Sequence, residues 1–149
     1  MEAVAIKRIQ KELASYQKEN PGFDMTFLHE NEIGKWIVTF EGAEDTLYQG
    51  EKHQLLFEFP NDYPLSPPTV KFMTPIIHHH IYSNGEICLS ILRDDWTPAY
   101  SVKSVVLSIL SMLSSASEEE KRRPDNDYAF TRSSKYLKTT NWVFDDEKC

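Results

Sequence analysis

Three of the five histidines, a Ser83-Asn84-Gly85 turn and a cysteine lie within residues 78–92, HHHIYSNGEICLSIL. Cys88 is the only cysteine away from the chain's end, the other being Cys149. A thiolate is a nucleophile, and a cysteine that follows a glycine-bearing turn, anchored by Ile87, Leu89, Ile91 and Leu92, can be displayed at a bend. The same apolar neighbours suit a cysteine that is simply a small core residue, and residue type alone favours that plainer reading. A metal site in the histidine run is a poor expectation. Successive residues of an extended chain point apart, and no CxxC or HExxH spacing is present.

The chain that must position these groups has 149 residues, which suits one domain over 1–149. Its 16 basic and 23 acidic residues give a net charge of -7, which argues against nucleic acid as the main partner. Two cysteines make no disulfide framework, and the sequence contains no apolar leader or membrane-spanning run. The expectation is a soluble protein of a reducing compartment, cytoplasmic or nuclear, with no membrane partner.

Residues 3 to 17 have helical periodicity, with Ile6, Ile9, Leu13 and Tyr16 on one face and Lys7, Arg8 and Lys11 gathered on the other. Asn20-Pro21-Gly22 ends that helix. The period then changes to two: Trp36, Val38 and Phe40 alternate with Lys35, Ile37 and Thr39, and Leu55, Phe57 and Phe59 alternate with Gln54, Leu56 and Glu58. Residues 25–28 and 69–72 are shorter candidate strands, and glycines at 34, 42 and 50 allow the strands to fold back as an antiparallel meander. Prolines 64, 67 and 68 make a stiff loop that carries Leu65, either presented to a partner or tucked into the core. Val102, Val105, Val106, Ile109, Leu110 and Leu113 then mark a helix with few charges, expected to be largely buried. Residues 118–123 are a mixed charge run, read as a solvated surface, and the segment from Thr131 has weak periodicity up to Trp142, Val143 and Phe144. The fold class is α+β.

These pieces together resemble the ubiquitin-conjugating enzymes. The similarity runs over roughly residues 3 to 130 and is carried by Lys7-Arg8-Ile9, Lys11-Glu12-Leu13, Tyr48-Gln49-Gly50, and Phe59-Pro60-Asn61-Asp62-Tyr63-Pro64 leading to Pro67-Pro68. It continues through Tyr82-Ser83-Asn84-Gly85, Ile87-Cys88-Leu89 and Trp96-Thr97-Pro98-Ala99 ahead of a serine-rich helix. The resemblance implies that family's fold: an N-terminal helix, a four-stranded antiparallel meander, an active-site loop, a buried central helix and a variable C-terminal segment, here 131–149. It places Cys88 at the thioester-forming position. Met112-Leu113-Ser114-Ser115, residues 121–126 (KRRPDN) and an aromatic tail are similar to the W-type members, associated with attaching ubiquitin to a substrate's N-terminal α-amine. The family's usual His-Pro-Asn aligns with His78-His79-His80; histidine at the third position fits the W-type pattern, whereas His79 departs from the proline of both patterns.

The reaction so implied loads ubiquitin's C-terminus onto Cys88 and passes it to an amine, as monoubiquitination of flexible N-termini. No cofactor is expected, since no glycine-rich phosphate motif is present and ATP is used upstream by the activating enzyme. His80, eight positions before Cys88 (88 − 80), can donate to the oxyanion or orient the acceptor amine. Asn84 and Ser90 line the site. Lysine-directed members carry aspartate two positions after the cysteine, where this chain has Ser90. Their acidic gate in the loop after the central helix has Glu120, Asp125 and Asp127 as unranked candidates here. The first helix and two proline loops form the family's surface for activating enzyme and RING or U-box ligases, which maps onto Lys7, Arg8, Lys11, Leu65, Thr97, Pro98 and Ala99, with Trp142 a candidate substrate contact. The competing readings are a lysine-directed enzyme, a ubiquitin-binding variant without transfer activity, and a cysteine hydrolase using one of the histidines. Cys149 reads as an incidental thiol.

Overall fold

A computed structural model describes residues 1–127; the expectations for Trp142, Phe144 and Cys149 lie outside the described residues. Helix α1 covers Ala3–Glu19 and ends on Asn20, whose positive φ of 48° lets its N–H close onto the Tyr16 carbonyl. Four strands follow: β1 (Asp24–Phe27), β2 (Lys35–Glu41), β3 (Lys52–Glu58) and β4 (Thr69–Phe72). They pair antiparallel in chain order, as the meander expectation required. In β2 the period of two is realised in full, with Trp36, Val38 and Phe40 buried and the residues between them less so. β3 is more apolar than simple alternation, because Leu56 is buried along with Leu55 and Phe57.

Helix α2 covers Val102–Ser114 and starts on a reciprocal cap, Ser101 accepting from the Ser104 amide while the Ser104 side chain accepts from that of Ser101. Ala5 and Ile9 of α1, the inward residues of the sheet, and Val102, Val105, Val106, Ile109 and Leu113 of α2 form one buried cluster. Burial of this apolar area, at about 25 cal/mol per Å2, is what holds the two helices and the sheet together. The expectation of a largely buried α2 is corrected: one stripe meets the core, while Lys103, Ser111 and Ser114 are exposed and Leu107 is 46% exposed. The scarcity of charge on α2 therefore reflects an outer face of small and apolar residues.

The two proline loops are pinned to each other and to α1. The buried Trp96 indole donates to the Pro64 carbonyl at 2.8 Å, and Tyr63 packs beside Trp96 at 6.0 Å between ring centroids. Arg8 does not belong to the solvated basic stripe with Lys7 and Lys11. Its Nε pairs with Glu12 at 2.9 Å, its NH2 group donates to the Tyr100 carbonyl at 2.6 Å, and its side chain is only 23% exposed. Glu12 in turn accepts from the Tyr63 hydroxyl and from the Val102 amide, so one ion pair joins α1, both loops and the start of α2.

Candidate active site

The histidine run is a tight turn and not the extended chain assumed above: the Ile81 N–H donates back to the His78 carbonyl at 2.9 Å. Its rings consequently lie close together, with centroids 4.8 Å apart for His78 and His79 and 4.1 Å for His79 and His80. Each imidazole has its own hydrogen-bond partners. His78 Nδ1 accepts the His80 amide at 2.9 Å, and the Met112 backbone also bonds the ring. Burial above all, with the neighbouring His79 and His80 second and third, pushes the His78 pKa down to about 4. His79 Nε2 lies 3.0 Å from a Glu120 carboxylate oxygen. No group of His, Cys, Asp and Glu able to hold a metal ion occurs among the described residues.

Cys88 is latched to His80 at both ends of its backbone. Its N–H donates to the His80 carbonyl at 2.7 Å, and its own carbonyl lies 3.1 Å from His80 Nδ1. A carbonyl only accepts, so Nδ1 is the nitrogen that carries hydrogen in this bond. Cys88 is fully buried. Ser90 opens a one-turn 3-10 helix, Ser90–Leu92, and its carbonyl accepts from the Arg93 and Asp95 amides. Apolar Leu89 and Ile91 meet Leu107, Ser108 and Ser111 of α2 in a shallow hollow beside the cysteine.

The turn before the cysteine is closed by Gly85, whose N–H donates to the Tyr82 carbonyl and whose carbonyl accepts from Phe72. Asn84 Oδ1 takes the Glu86 amide at 3.0 Å, so this side chain shapes the turn. Asp127 accepts the Ser83 amide at 2.7 Å, and Asn126 accepts the Tyr82 hydroxyl at 3.1 Å. Asp125 pairs with Arg122 at 2.8 Å and its side chain is 92% exposed. Among the acidic candidates, Glu120 and Asp127 are thus brought against the cysteine loop. The Ser117 amide above all, with the Ser117 side chain second, holds the Glu120 carboxyl below its ordinary pKa.

Residues 118–123 are more than the solvated run expected of them. Glu118–Glu120 forms a 3-10 turn capped by Ser117, and Arg123 donates to the Ile76 and Ile81 carbonyls at 2.9 and 3.3 Å. The sequence signal was there as Ser117-x-x-Glu120, the capping-box spacing, but it marks only a helical turn and not its partner. On α1 and the two proline loops, Lys7, Lys11, Thr97, Pro98 and Ala99 are exposed, and Leu65 is 73% exposed, so it is presented to solvent instead of tucked inward.

A family model described as ubiquitin-conjugating enzyme matches residues 8–142. The chain is 48% identical over 148 residues to a probable ubiquitin-conjugating enzyme E2 W-A of Danio rerio, covering 96% of this chain and 97% of the relative. It is 48% identical over 153 residues to the ubiquitin-conjugating enzyme E2 W of Caenorhabditis elegans, covering 99% of each. Among solved structures it is similar to the ubiquitin conjugating enzyme E2 UbcA1 of Agrocybe aegerita, with a TM-score of 0.80 and 36% identity over 89% of this chain and 96% of that one.

Proposed function

The chain belongs to the ubiquitin-conjugating enzyme family, a family of transferases, and on that premise we propose that it carries ubiquitin as a thioester on Cys88 and delivers it to substrate N-terminal α-amines. The observation that supports this most directly is the double latch between Cys88 and His80. It fixes the backbone on either side of the nucleophile. In the loading step the Cys88 thiolate attacks the carbonyl carbon of ubiquitin's C-terminal thioester on the activating enzyme; a new C–S bond forms and the activating enzyme's thiolate leaves. In the transfer step a neutral amine attacks the same carbonyl, a C–N bond forms, the Cys88 thiolate leaves, and the amine's extra proton goes to solvent.

The choice of amine follows from proton occupancy. At pH 7.4 roughly one α-amine in three to five is neutral, against about one lysine in a thousand. Lysine transfer needs a group to shed its proton, and Ser90 stands where lysine-directed members have aspartate. An α-amine can attack without that help. His80 spends Nδ1–H on the Cys88 carbonyl, so a neutral ring has no second N–H for an oxyanion, and its other nitrogen can only accept, as from the N–H of an attacking amine. The proposed partners are ubiquitin, the activating enzyme, RING or U-box ligases and substrates with flexible N-termini, with monoubiquitination as product. Lys7, Lys11, Leu65, Thr97, Pro98 and Ala99 form the proposed ligase face, with Arg8 as the strut beneath it. We propose no cofactor for this chain itself.

The test is charging of the reduced protein by activating enzyme, ATP and ubiquitin, resolved on gels with and without reductant. The wild-type chain is expected to give a reductant-sensitive adduct, Cys88→Ser a reductant-resistant ester, and Cys88→Ala none. An adduct on Cys88→Ala would remove the assignment. Hydrolysis by the chain alone, faster than transfer to any amine, would point to a hydrolase instead.

A further inference from the structure

His79 stands where the family pattern has proline, and its surroundings are built for a residue that is not proline. Its backbone N–H donates to the Glu120 carbonyl at 2.9 Å, a bond proline cannot make. Its imidazole Nε2 meets the Glu120 side chain at 3.0 Å, so the same residue is gripped through main chain and side chain together. Glu120 is itself held still: its other carboxylate oxygen accepts the Ser117 amide at 2.8 Å, and its own N–H donates to the Ser117 carbonyl at 3.0 Å. On the far side, the His79 ring stands edge-on to His80 at 4.1 Å and 64°. His80 is the residue whose Nδ1 lies 3.1 Å from the Cys88 carbonyl. A continuous line of contacts therefore runs from the segment after α2 to the backbone of the proposed nucleophile.

Proline would fix φ at position 79 near about −65° without any partner. Histidine leaves that angle open, and something else has to close it. We propose that Glu120 and His79 form a positioning clamp that replaces the missing proline. The clamp sets the 78–81 turn so that His80 holds the Cys88 carbonyl in the orientation needed for amine attack. Neither residue touches the reacting atoms; both act through His80. The inference rests on Cys88 as the thioester carrier, and it is independent of which amine attacks.

Single-turnover discharge of the ubiquitin-charged protein, measured over a range of acceptor concentrations, tests the clamp. Glu120→Ala is expected to lower the maximal discharge rate about fivefold, the net worth of one hydrogen bond, with the acceptor concentration at half-maximal rate unchanged. His79→Ala should lose at least as much, and adding Glu120→Ala to it should cost nothing further. Glu120→Gln should restore the rate to within about twofold, because an amide oxygen still accepts from a histidine N–H. A proton-transfer role for Glu120 would not be rescued that way. Wild-type discharge in Glu120→Ala, additive losses in the double variant, a shift in half-saturation alone, or a Glu120→Gln variant as slow as Glu120→Ala would each overturn the clamp. The losses should be equal for an α-amine peptide and for lysine, so the amine preference can fail while the clamp stands. A wild-type protein that never charges would overturn the Cys88 reading and the clamp with it.

Discussion

His78 accepts the His80 amide through Nδ1 and bonds the Met112 backbone as well, and the first of these bonds requires an unprotonated nitrogen. The ring's folded pKa of about 4 lies below the ordinary 6.5, so the unfolded chain takes up a proton that the folded chain refuses. This histidine's contribution is fully present above pH 6.5 and is lost as pH falls from 6.5 towards 4. The gap between 6.5 and about 4 corresponds to roughly 3 kcal/mol. Denaturant unfolding of wild type and His78→Gln between pH 7 and 4 should show the wild-type stability falling more steeply by that order; parallel profiles would contradict it. At His80, alanine leaves the Cys88 carbonyl without its ring donor, a loss of about 1–3 kcal/mol. Discharge of charged His80→Ala should slow by roughly tenfold, and an unchanged rate would show that the ring bond does not matter. Cys88 and His80 were singled out through the family resemblance, and the structure joins them through the backbone. The partners of His79 were not legible in the sequence, because a contact 41 positions away leaves no local pattern.

Elements explain why some single changes have large effects. Gly85 has a φ of +92°, and an added Cβ would stand 2.2 Å from the Phe72 carbonyl oxygen, a backbone atom that cannot swing aside. Gly85→Ala should therefore lower the thermal midpoint by about 5 °C or more; a melt within 1 °C or so of wild type would mean that the turn can relax. Arg8 shows a different limit of sequence reading. Helical spacing placed it on the basic stripe, but its length lets it reach across to Glu12 and the Tyr100 carbonyl. Arg8→Glu would set two carboxylates together where Glu12 is only 10% exposed, so it should destabilise the fold as well as any ligase contact. Leu65→Ala and Lys11→Glu are the cleaner probes of that face. Each should reduce ligase-stimulated discharge severalfold, well beyond any change in ligase-free discharge; equal responses in both assays would remove the proposed ligase surface.

Across the whole molecule, the helix, the meander and the second helix were readable because each buries one periodic face, and periodicity is a local signal. What joins them was not readable. The Arg8–Glu12 strut, the Trp96–Pro64 bond and the strap from Ser117 to Asp127 over the cysteine loop all depend on long side chains or backbone groups meeting across the fold. A charge run such as residues 118–123 looks solvated in sequence because its bonds to the loop use backbone carbonyls and one distant histidine. The exposed proline loops beside α1 and the strapped cysteine loop are thus held by separate sets of contacts. For the cysteine loop, the proposal is that charged Cys88 serves α-amines in preference to lysine. It is tested most directly by single-turnover discharge onto two matched peptides, one with an open N-terminus and no lysine, the other acetylated and bearing one lysine. At pH 7.4 the first peptide is expected to discharge the enzyme at least tenfold faster; equal rates, or a faster lysine peptide, would rule out the α-amine preference.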